Sequence, residues 1–307
     1  MDDLYIDGLN AFGEWGVYVT EDGYRELLGM PPLKEPQKND WWEDDGEEVD
    51  LSAPRLDTRE VTIKVACAGG DFDGFVSALN KGALHTVRSK ALGRSWSLRY
   101  TRQSALDYCD GLTVASLRFS EDSPLDGYTY AAPQSTYPGS TDYSIDGKPL
   151  AAYGVRVLAG TLAGIKAVPD VKVNLLRNIK TQGGAQYDGA KVHYKSKSVR
   201  LYCLMRAADA AELWRNRDAL LYDLTRPQAR TLEVAALGCT FECYYNKSSV
   251  ETFISDDAPW LAFSLFLTVT GGLRSETLEV TLVTEDDRTV VTEDGRLVTI
   301  DIINDGR

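Results

Sequence analysis

The chain has 307 residues and a formal net charge of -13, with 43% hydrophobic and 26% charged side chains. This composition is typical of a folded chain of about two domains. The acidic balance argues against general binding to nucleic acids or to anionic membranes. No basic, apolar leader follows Met1, so we expect no signal peptide, and the longest apolar stretch, 260–269, is too short to span a bilayer.

The charge changes sign along the chain. Residues 1–150 contain 26 acidic and 14 basic side chains, residues 151–272 contain 11 and 15, and residues 273–307 contain 9 and 4. Such asymmetry indicates separate modules and suggests complementary contacts between copies of the chain.

An internal repeat organises the first 272 residues. The motif Ile6-Asp7-Gly8 recurs as Ile145-Asp146-Gly147, and a short Gly-Val strand follows each motif, at Gly16-Val17 and Gly154-Val155. A long polar segment, an alternating strand, a helix and two further strands then follow in the same order. The pattern predicts an α+β, mostly β protein with two tandem domains, each a small sandwich or partly closed barrel.

The elements predicted after the polar segments correspond between the copies. In copy one they are a strand at 59–65, a helix at 71–84 with Asp71 as its N-cap, and strands at 95–100 and 112–117. In copy two they are a strand at 198–203, a helix at 209–221, and strands at 240–245 and 261–266. We place copy one at 1–140 and copy two at 141–272.

Each polar segment is predicted to form a long β-hairpin arm, at about 32–58 in copy one and about 169–200 in copy two. In the second arm, strands at 171–179 and 190–199 flank a turn-rich tip at 182–189. The arms differ in charge, since seven of the eleven residues at 40–50 are acidic and none is basic, whereas the second arm is basic. The candidate interaction residues are Trp41, Trp42, Glu43, Asp44, Asp45, Glu47, Glu48, Lys172, Arg177, Lys180, Lys191, Lys195, Lys197 and Arg200.

Residues 273–307 form a separate tail. Within it, 283–290 and 291–298 are identical at six of eight positions, and turn residues separate β-branched runs. This pattern predicts a short C-terminal β-meander, which needs packing against the body or a partner because a small ribbon is marginally stable alone.

Motifs for catalysis or cofactor binding are absent from the sequence. The two histidines, His85 and His193, lie in no metal or triad motif, and we predict no enzymatic activity, no cofactor and no metal site. The five cysteines are interpreted as reduced thiols, with a metal pair at Cys239 and Cys243 as the lesser alternative. The acidic segment 40–50 is interpreted as a solvated or partner-facing loop, with a calcium site as the lesser alternative, because its spacing differs from the twelve-residue calcium loop.

The tryptophan pair Trp41 and Trp42 has three interpretations: an anchor in a protein interface, a sugar-stacking platform, or burial in the base of the arm. These interpretations lead to different functions. The first agrees with an assembly role, and the second with a tandem β-sandwich protein that recognises carbohydrates or cell surfaces. A β-rich hydrolase that uses paired carboxylates such as Asp44 and Glu47 is a further alternative, but a hairpin tip is a poor place for an active site.

Several motifs resemble the N-terminal domain of the distal tail proteins of long-tailed bacteriophages. They are Ile6-Asp7-Gly8, Gly16-Val17, Pro32 with Lys34, the stretch 45–51 and Arg59-Glu60-Val61-Thr62-Ile63. The resemblance covers about 1–120, and through the repeat about 143–270. It implies a tail-tube-like β-sandwich or split barrel with one helix and a long hairpin, assembled into a ring at the end of the tail tube.

The second ring-like copy departs from the usual distal tail pattern and is more similar to a tail hub with two tube domains per chain. The resemblance therefore implies either six chains or three chains in the ring. It further implies that the protein is made in the bacterial cytoplasm and is located in a virion or prophage tail. The implied partners are tube, tape-measure, hub, baseplate or receptor-binding proteins. Head-to-tail rings need two complementary patches, and arms of opposite charge would supply them.

Overall fold

The computed structural model describes residues 3–173, 176–187, 192–255 and 258–270, and the backbone of two strands further on. Within these residues the chain is mostly β, with antiparallel sheets and short helices, as the α+β, mostly β prediction expects. No helix within these ranges is long and apolar enough to cross a bilayer.

The strands before residue 122, which we call the first half, are β1 Leu4–Ile6, β2 Leu9–Asn10, β3 Val17–Val19, β4 Lys38–Asn39, β5 Glu48–Val49, β6 Arg59–Ala68, β7 His85–Ser89, β8 Arg94–Cys109 and β9 Leu112–Glu121. Helices α1 Ala11–Trp15 and α2 Phe72–Leu79 and a 3-10 turn at Arg25–Leu28 lie between them.

The strands of the second half are β10 Tyr143–Ile145, β11 Lys148–Pro149, β12 Val155–Val157, β13 Leu176–Arg177, β14 Gln186–Tyr187, β15 Lys197–Arg206, β16 Arg230–Val234, β17 Cys239–Ile254 and β18 Trp260–Val269. Its helices are α3 Thr161–Lys166 and α4 Ala210–Leu224, with 3-10 turns at Leu150–Tyr153 and Ala235–Leu237. In the tail region, β19 Leu278–Thr281 pairs antiparallel with β20 Thr299–Ile302. The repeated stretches 283–290 and 291–298 lie outside the described residues, and so does the predicted meander turn between them.

The two seven-stranded sheets have corresponding strand orders. The order is β2-β1-β7-β8-β9-β6-β3 in the first half and β11-β10-β16-β17-β18-β15-β12 in the second. Alternation of apolar and polar side chains explains why the central strands form. In β6, Val61, Ile63 and Val65 are buried, and the residues between them are more exposed. Large side chains such as Phe75, Phe119 and Tyr245 fill the hydrophobic core behind these strands.

The two Asp-Gly motifs form the same tight turn. Asp7 and Gly8 have φ of 51° and 86°, and Asp146 and Gly147 have φ of 50° and 74°. Two positive φ values suit a two-residue hairpin between twisted strands, and glycine accepts this conformation at low cost. The first carboxylate accepts a hydrogen bond from the Thr86 amide, and that of Asp146 accepts one from the corresponding amide of β16. The repeated motif is therefore a repeated structure.

The helix predictions are correct in place and differ in length. Asp71 caps α2 by accepting a hydrogen bond from the Gly74 amide, but the helix ends at Leu79 rather than at 84. Asn80 and the glycine two residues later favour a turn, which brings β7 into the sheet. Helix α4, capped by Asp209, instead continues to Leu224, because nearly all of its length is covered.

The two arms have the same register. In the first, Leu33 bridges Leu56 and a two-residue ladder joins β4 to β5; in the second, Val171 bridges Tyr194 and a similar ladder joins β13 to β14. Every pairing in one arm recurs in the other 138 positions later. The second tip was predicted at 182–189, yet β14 lies inside that range. Gly184, with φ of 78°, lets the chain reverse earlier.

Candidate functional site

The tip of the first arm exposes two indole rings. Trp41 is 49% and Trp42 is 59% exposed, so the arm base does not bury either side chain. The Trp41 indole N–H donates to the Glu48 carboxylate at 2.9 Å, which orients that ring across the hairpin. The interpretation in which the arm base buries the pair is therefore wrong, and the sugar-platform and interface interpretations remain.

The acidic side chains of this arm have different surroundings. Glu43 and Asp44 are exposed and form no ion pair with any described residue. Asp45 accepts a hydrogen bond from the Tyr194 amide at 2.8 Å, and Glu47 lies 3.5 Å from the Lys38 ammonium group. The acidic segment is thus partly neutralised by the chain itself.

Lys172 fastens the two arms together. Its side chain is 5% exposed, and its ammonium group donates to the carbonyls of Trp41 and Gly46, at 2.6 Å each. The same group lies 2.5 Å from the Asp40 carboxylate. Three acceptors around one buried cation replace its water shell, which is the condition for burying a charge at low cost. The opposite charges of the arms therefore meet within one chain at this point.

The other basic candidates do not gather into one surface. Lys197 donates to the carbonyls of Ile165 and Ala167 at the end of α3, and burial lowers its pKa. Arg200 donates to Glu251 at 2.7 Å. Lys180 and Lys195 are exposed, while the side chain of Arg177 and the whole of Lys191 lie outside the described residues.

The two halves meet along α4, a contact that the sequence did not predict. Arg217 is 3% exposed, donates to the Leu28 carbonyl at 3.1 Å and to that of Gly29, and pairs with Asp218 at 2.5 Å. Trp214 donates its indole N–H to the Leu92 carbonyl at 2.6 Å. The charged side chains of Arg217 and Asp218 are therefore buried at this contact.

A second contact joins the base of the first arm to β17. We call residues 30–33 the first arm base and residues 245–248 the second bulge segment, because the ladder between β17 and β18 shifts register within the latter. The Leu33 amide donates to the Asn246 carbonyl at 2.8 Å. The Met30 amide donates to the Ser248 hydroxyl at 2.9 Å, and the Tyr245 hydroxyl to the Pro31 carbonyl at 3.0 Å. Main-chain groups therefore set the register of the joint.

The linker between the halves lies against the opposite side of α4. The Asn216 side chain accepts from the Gln134 amide at 2.9 Å, and Glu212 accepts from the Thr136 amide at 3.0 Å. Asp223 accepts from the Tyr153 hydroxyl at 2.5 Å and from Lys148 at 2.7 Å. Burial acts to raise the pKa of Asp223, but these donors outweigh it and hold that pKa below its usual value.

Cys243 and His85, two residues of types that often carry reactive chemistry, are both buried. No group of three His, Cys, Asp or Glu side chains among the described residues is placed to hold a metal ion. The Cys243 thiol is buried, and this burial raises its pKa to about 12, so it is a poor nucleophile at neutral pH. The Nε2 atom of His85 donates to the Leu79 carbonyl at 2.8 Å, and its Nδ1 atom lies 2.7 Å from the Asp7 carboxylate, so this ring holds the N-terminal hairpin.

Comparison with known proteins adds little. No family model and no curated protein matches the chain. Among solved structures, the chain is similar to the Dit protein (gp 19.1) of phage SPP1, described as a paradigm of the hub adsorption apparatus in phages that infect Gram-positive bacteria. The match covers 87% of this chain and 98% of that chain at 11% identity and a TM-score of 0.29. A superposition this loose carries no weight for function.

Proposed function

We propose that the chain is a structural, ring-forming component of a phage or prophage tail, of the distal-tail or hub kind. It would connect the tail tube to baseplate or receptor-binding components, and its place would be the virion tail. The observation that carries this proposal is the repetition of one architecture, with two sheets of corresponding order and two arms of the same register. A closed ring is built by repeating one contact between similar units, and two similar halves in one chain supply such units.

The character of the site favours assembly over catalysis. The contacts that join elements distant in sequence are main-chain hydrogen bonds and buried ion pairs, such as those of Lys172 and Arg217. The exposed candidate residues include two aromatic ones, Trp41 and Trp42, and aromatic side chains are common at protein interfaces. We therefore assign this chain an assembly role without an enzymatic one, with tube, tape-measure or hub proteins as its partners.

The experiment is to measure the mass of the purified full-length chain by light scattering over a range of concentrations and to image it by negative stain. We expect closed rings of three or six chains with an open centre. A chain that stays monomeric at every concentration would contradict the ring. Mixing rings with purified tail tubes then tests whether they cap the tube end.

A second candidate function is carbohydrate or cell-surface recognition, favoured by the neighbouring exposed rings of Trp41 and Trp42. Replacing both by alanine would abolish glycan binding in this case and leave any ring intact. A glycan array that shows no binding by the unchanged protein rejects it.

A further inference from the structure

The joint between the halves is formed by an arm base and a bulge segment, and each half of the chain contains one of each. The arm base of the second half is 168–171, the counterpart of 30–33 at a spacing of 138 residues, and its bridge Val171–Tyr194 corresponds to Leu33–Leu56. The bulge segment of the first half is 100–103, because the ladder between β8 and β9 shifts register after Tyr100 as that between β17 and β18 does after Tyr245. Among the described residues, the contact between the halves uses the arm base of the first half and the bulge segment of the second half.

The unused arm base exposes apolar side chains that its counterpart buries. Met30 is 4% exposed, whereas its counterpart Val168 is 61% exposed. Leu33 is 8% exposed, whereas its counterpart Val171 is 46% exposed. The difference is the presence of the second bulge segment, which covers only the first arm base.

The unused bulge segment shows the same difference. Tyr245 is fully buried and its hydroxyl donates to the Pro31 carbonyl, while its counterpart Tyr100 is half-buried and donates to no acceptor among the described residues. Asn246 offers its carbonyl to the arm base because the bulge takes it out of the ladder. Thr101 occupies the same bulge position in β8.

We propose that the unused arm base at 168–171 binds the unused bulge segment at 100–103 of a second copy of this chain. In this joint, Thr101 of the neighbouring copy would accept a hydrogen bond from the Val171 amide, and its Tyr100 hydroxyl would reach the Pro169 carbonyl. The contact is head-to-tail, since each chain contributes a different surface at each end, and repeated it gives a ring if the rotation closes. The inference rests on the proposed ring and names the surface that forms it.

The joint between chains differs from the joint within the chain in one respect. Arg217 fastens the inner joint from α4, but α2 of the first half is shorter and has Leu79 at the position that corresponds to Arg217, counted from the two N-caps. The joint between chains therefore lacks the buried guanidinium and is the weaker of the two. This agrees with separate folding of each chain before assembly.

The test uses one matched pair of variants of the full chain. Val168→Glu places a charge in the proposed joint. Val173→Glu makes the same change at a side chain that is 72% exposed and whose counterpart, Glu35, stays exposed although the first arm base is covered. We expect Val168→Glu to raise the concentration needed for half-assembly about tenfold or more, which is the scale of one lost apolar contact. Val173→Glu should assemble like the unchanged chain.

Cross-linking locates the joint. Thr101→Cys combined with Val171→Cys, with the exposed Cys109 changed to serine, should form disulfides between chains under mild oxidation, since an N–H···O contact places two residues within disulfide reach. Thr101→Cys with Tyr108→Cys, at the hairpin tip, should not. Rings that persist in Val168→Glu and never cross-link would overturn this joint and leave the proposed function standing. A monomeric chain that never cross-links would overturn both.

Discussion

The ammonium group of Lys172 lies 2.5 Å from the carboxylate of Asp40, although the two residues belong to different arms and are 132 positions apart. The cation is buried, and two carbonyls of the first arm complete its shell. One acidic and one basic side chain of the two arms are thus paired inside a single chain. Charge complementarity, which the sequence suggested as a code between chains, acts here within the chain.

Replacing Lys172 by methionine should loosen the first arm. The carbonyls of Trp41 and Gly46 would lose their shared donor, at a cost of about 1–3 kcal/mol. We expect faster amide exchange and faster proteolysis at 40–50, with the sheets unchanged. Lys195→Met is the control, because Lys195 belongs to the second arm, like Lys172, but is exposed. Equal protection in the two variants would contradict the fastening role.

Replacing Arg217 by methionine should weaken the joint between the halves. The change leaves the Leu28 carbonyl without this donor and deprives the buried Asp218 of one partner, which costs roughly 3–5 kcal/mol when a buried pair is broken. Denaturant unfolding would measure the loss. Arg156→Met, at an exposed position in β12, should change stability little. If both variants unfold at the same denaturant concentration, Arg217 does not hold the joint.

Asp223 should make stability depend on pH in the acid range. Its pKa is held below the ordinary value of about 3.9 by Lys148 and Tyr153, so its contribution is fully present above pH ~4 and is lost as pH falls through the lowered pKa. Asp223→Asn should lower stability at pH 7 and flatten the decline below pH 4. Unfolding midpoints measured from about pH 2 to 7 provide the test. An unchanged slope would show that other carboxylates dominate.

The two Asp-Gly turns should respond alike to substitution. Gly8→Ala and Gly147→Ala meet no steric obstacle, yet both positions have positive φ, so each should cost about 1–2 kcal/mol. Gly164→Ala, in α3 with open space around it and no positive φ, should instead be neutral or stabilising. The sum of the two losses should equal the loss in the double variant, because the turns belong to different sheets. Unequal losses would show that the turns differ in their surroundings.

Local pattern predicted the central elements well. The alternation at 59–65 is typical of a half-buried strand and was found in β6, and the N-cap Asp71 was placed correctly. Helix α4 begins directly after Asp209, the residue at which the predicted helix starts. The predictions for the end of α2 and for the tip of the second arm were less accurate. The position of such a turn depends on which strand pairs next, and local sequence does not show this.

The sequence by itself determined the central strands, the cap at Asp71, the repetition of the Asp-Gly motif and the opposite charges of the two arms. These follow from side-chain period, backbone preference and formal charge, which are local properties. Only the tertiary structure decided that Lys172 and Arg217 are buried and hold distant segments together, and that Trp41 and Trp42 are exposed. It also decided that one arm base is covered while its counterpart is exposed. These outcomes depend on contacts between residues more than a hundred positions apart. The removal of water from a side chain at such a contact cannot be predicted from the residue pattern of a short segment.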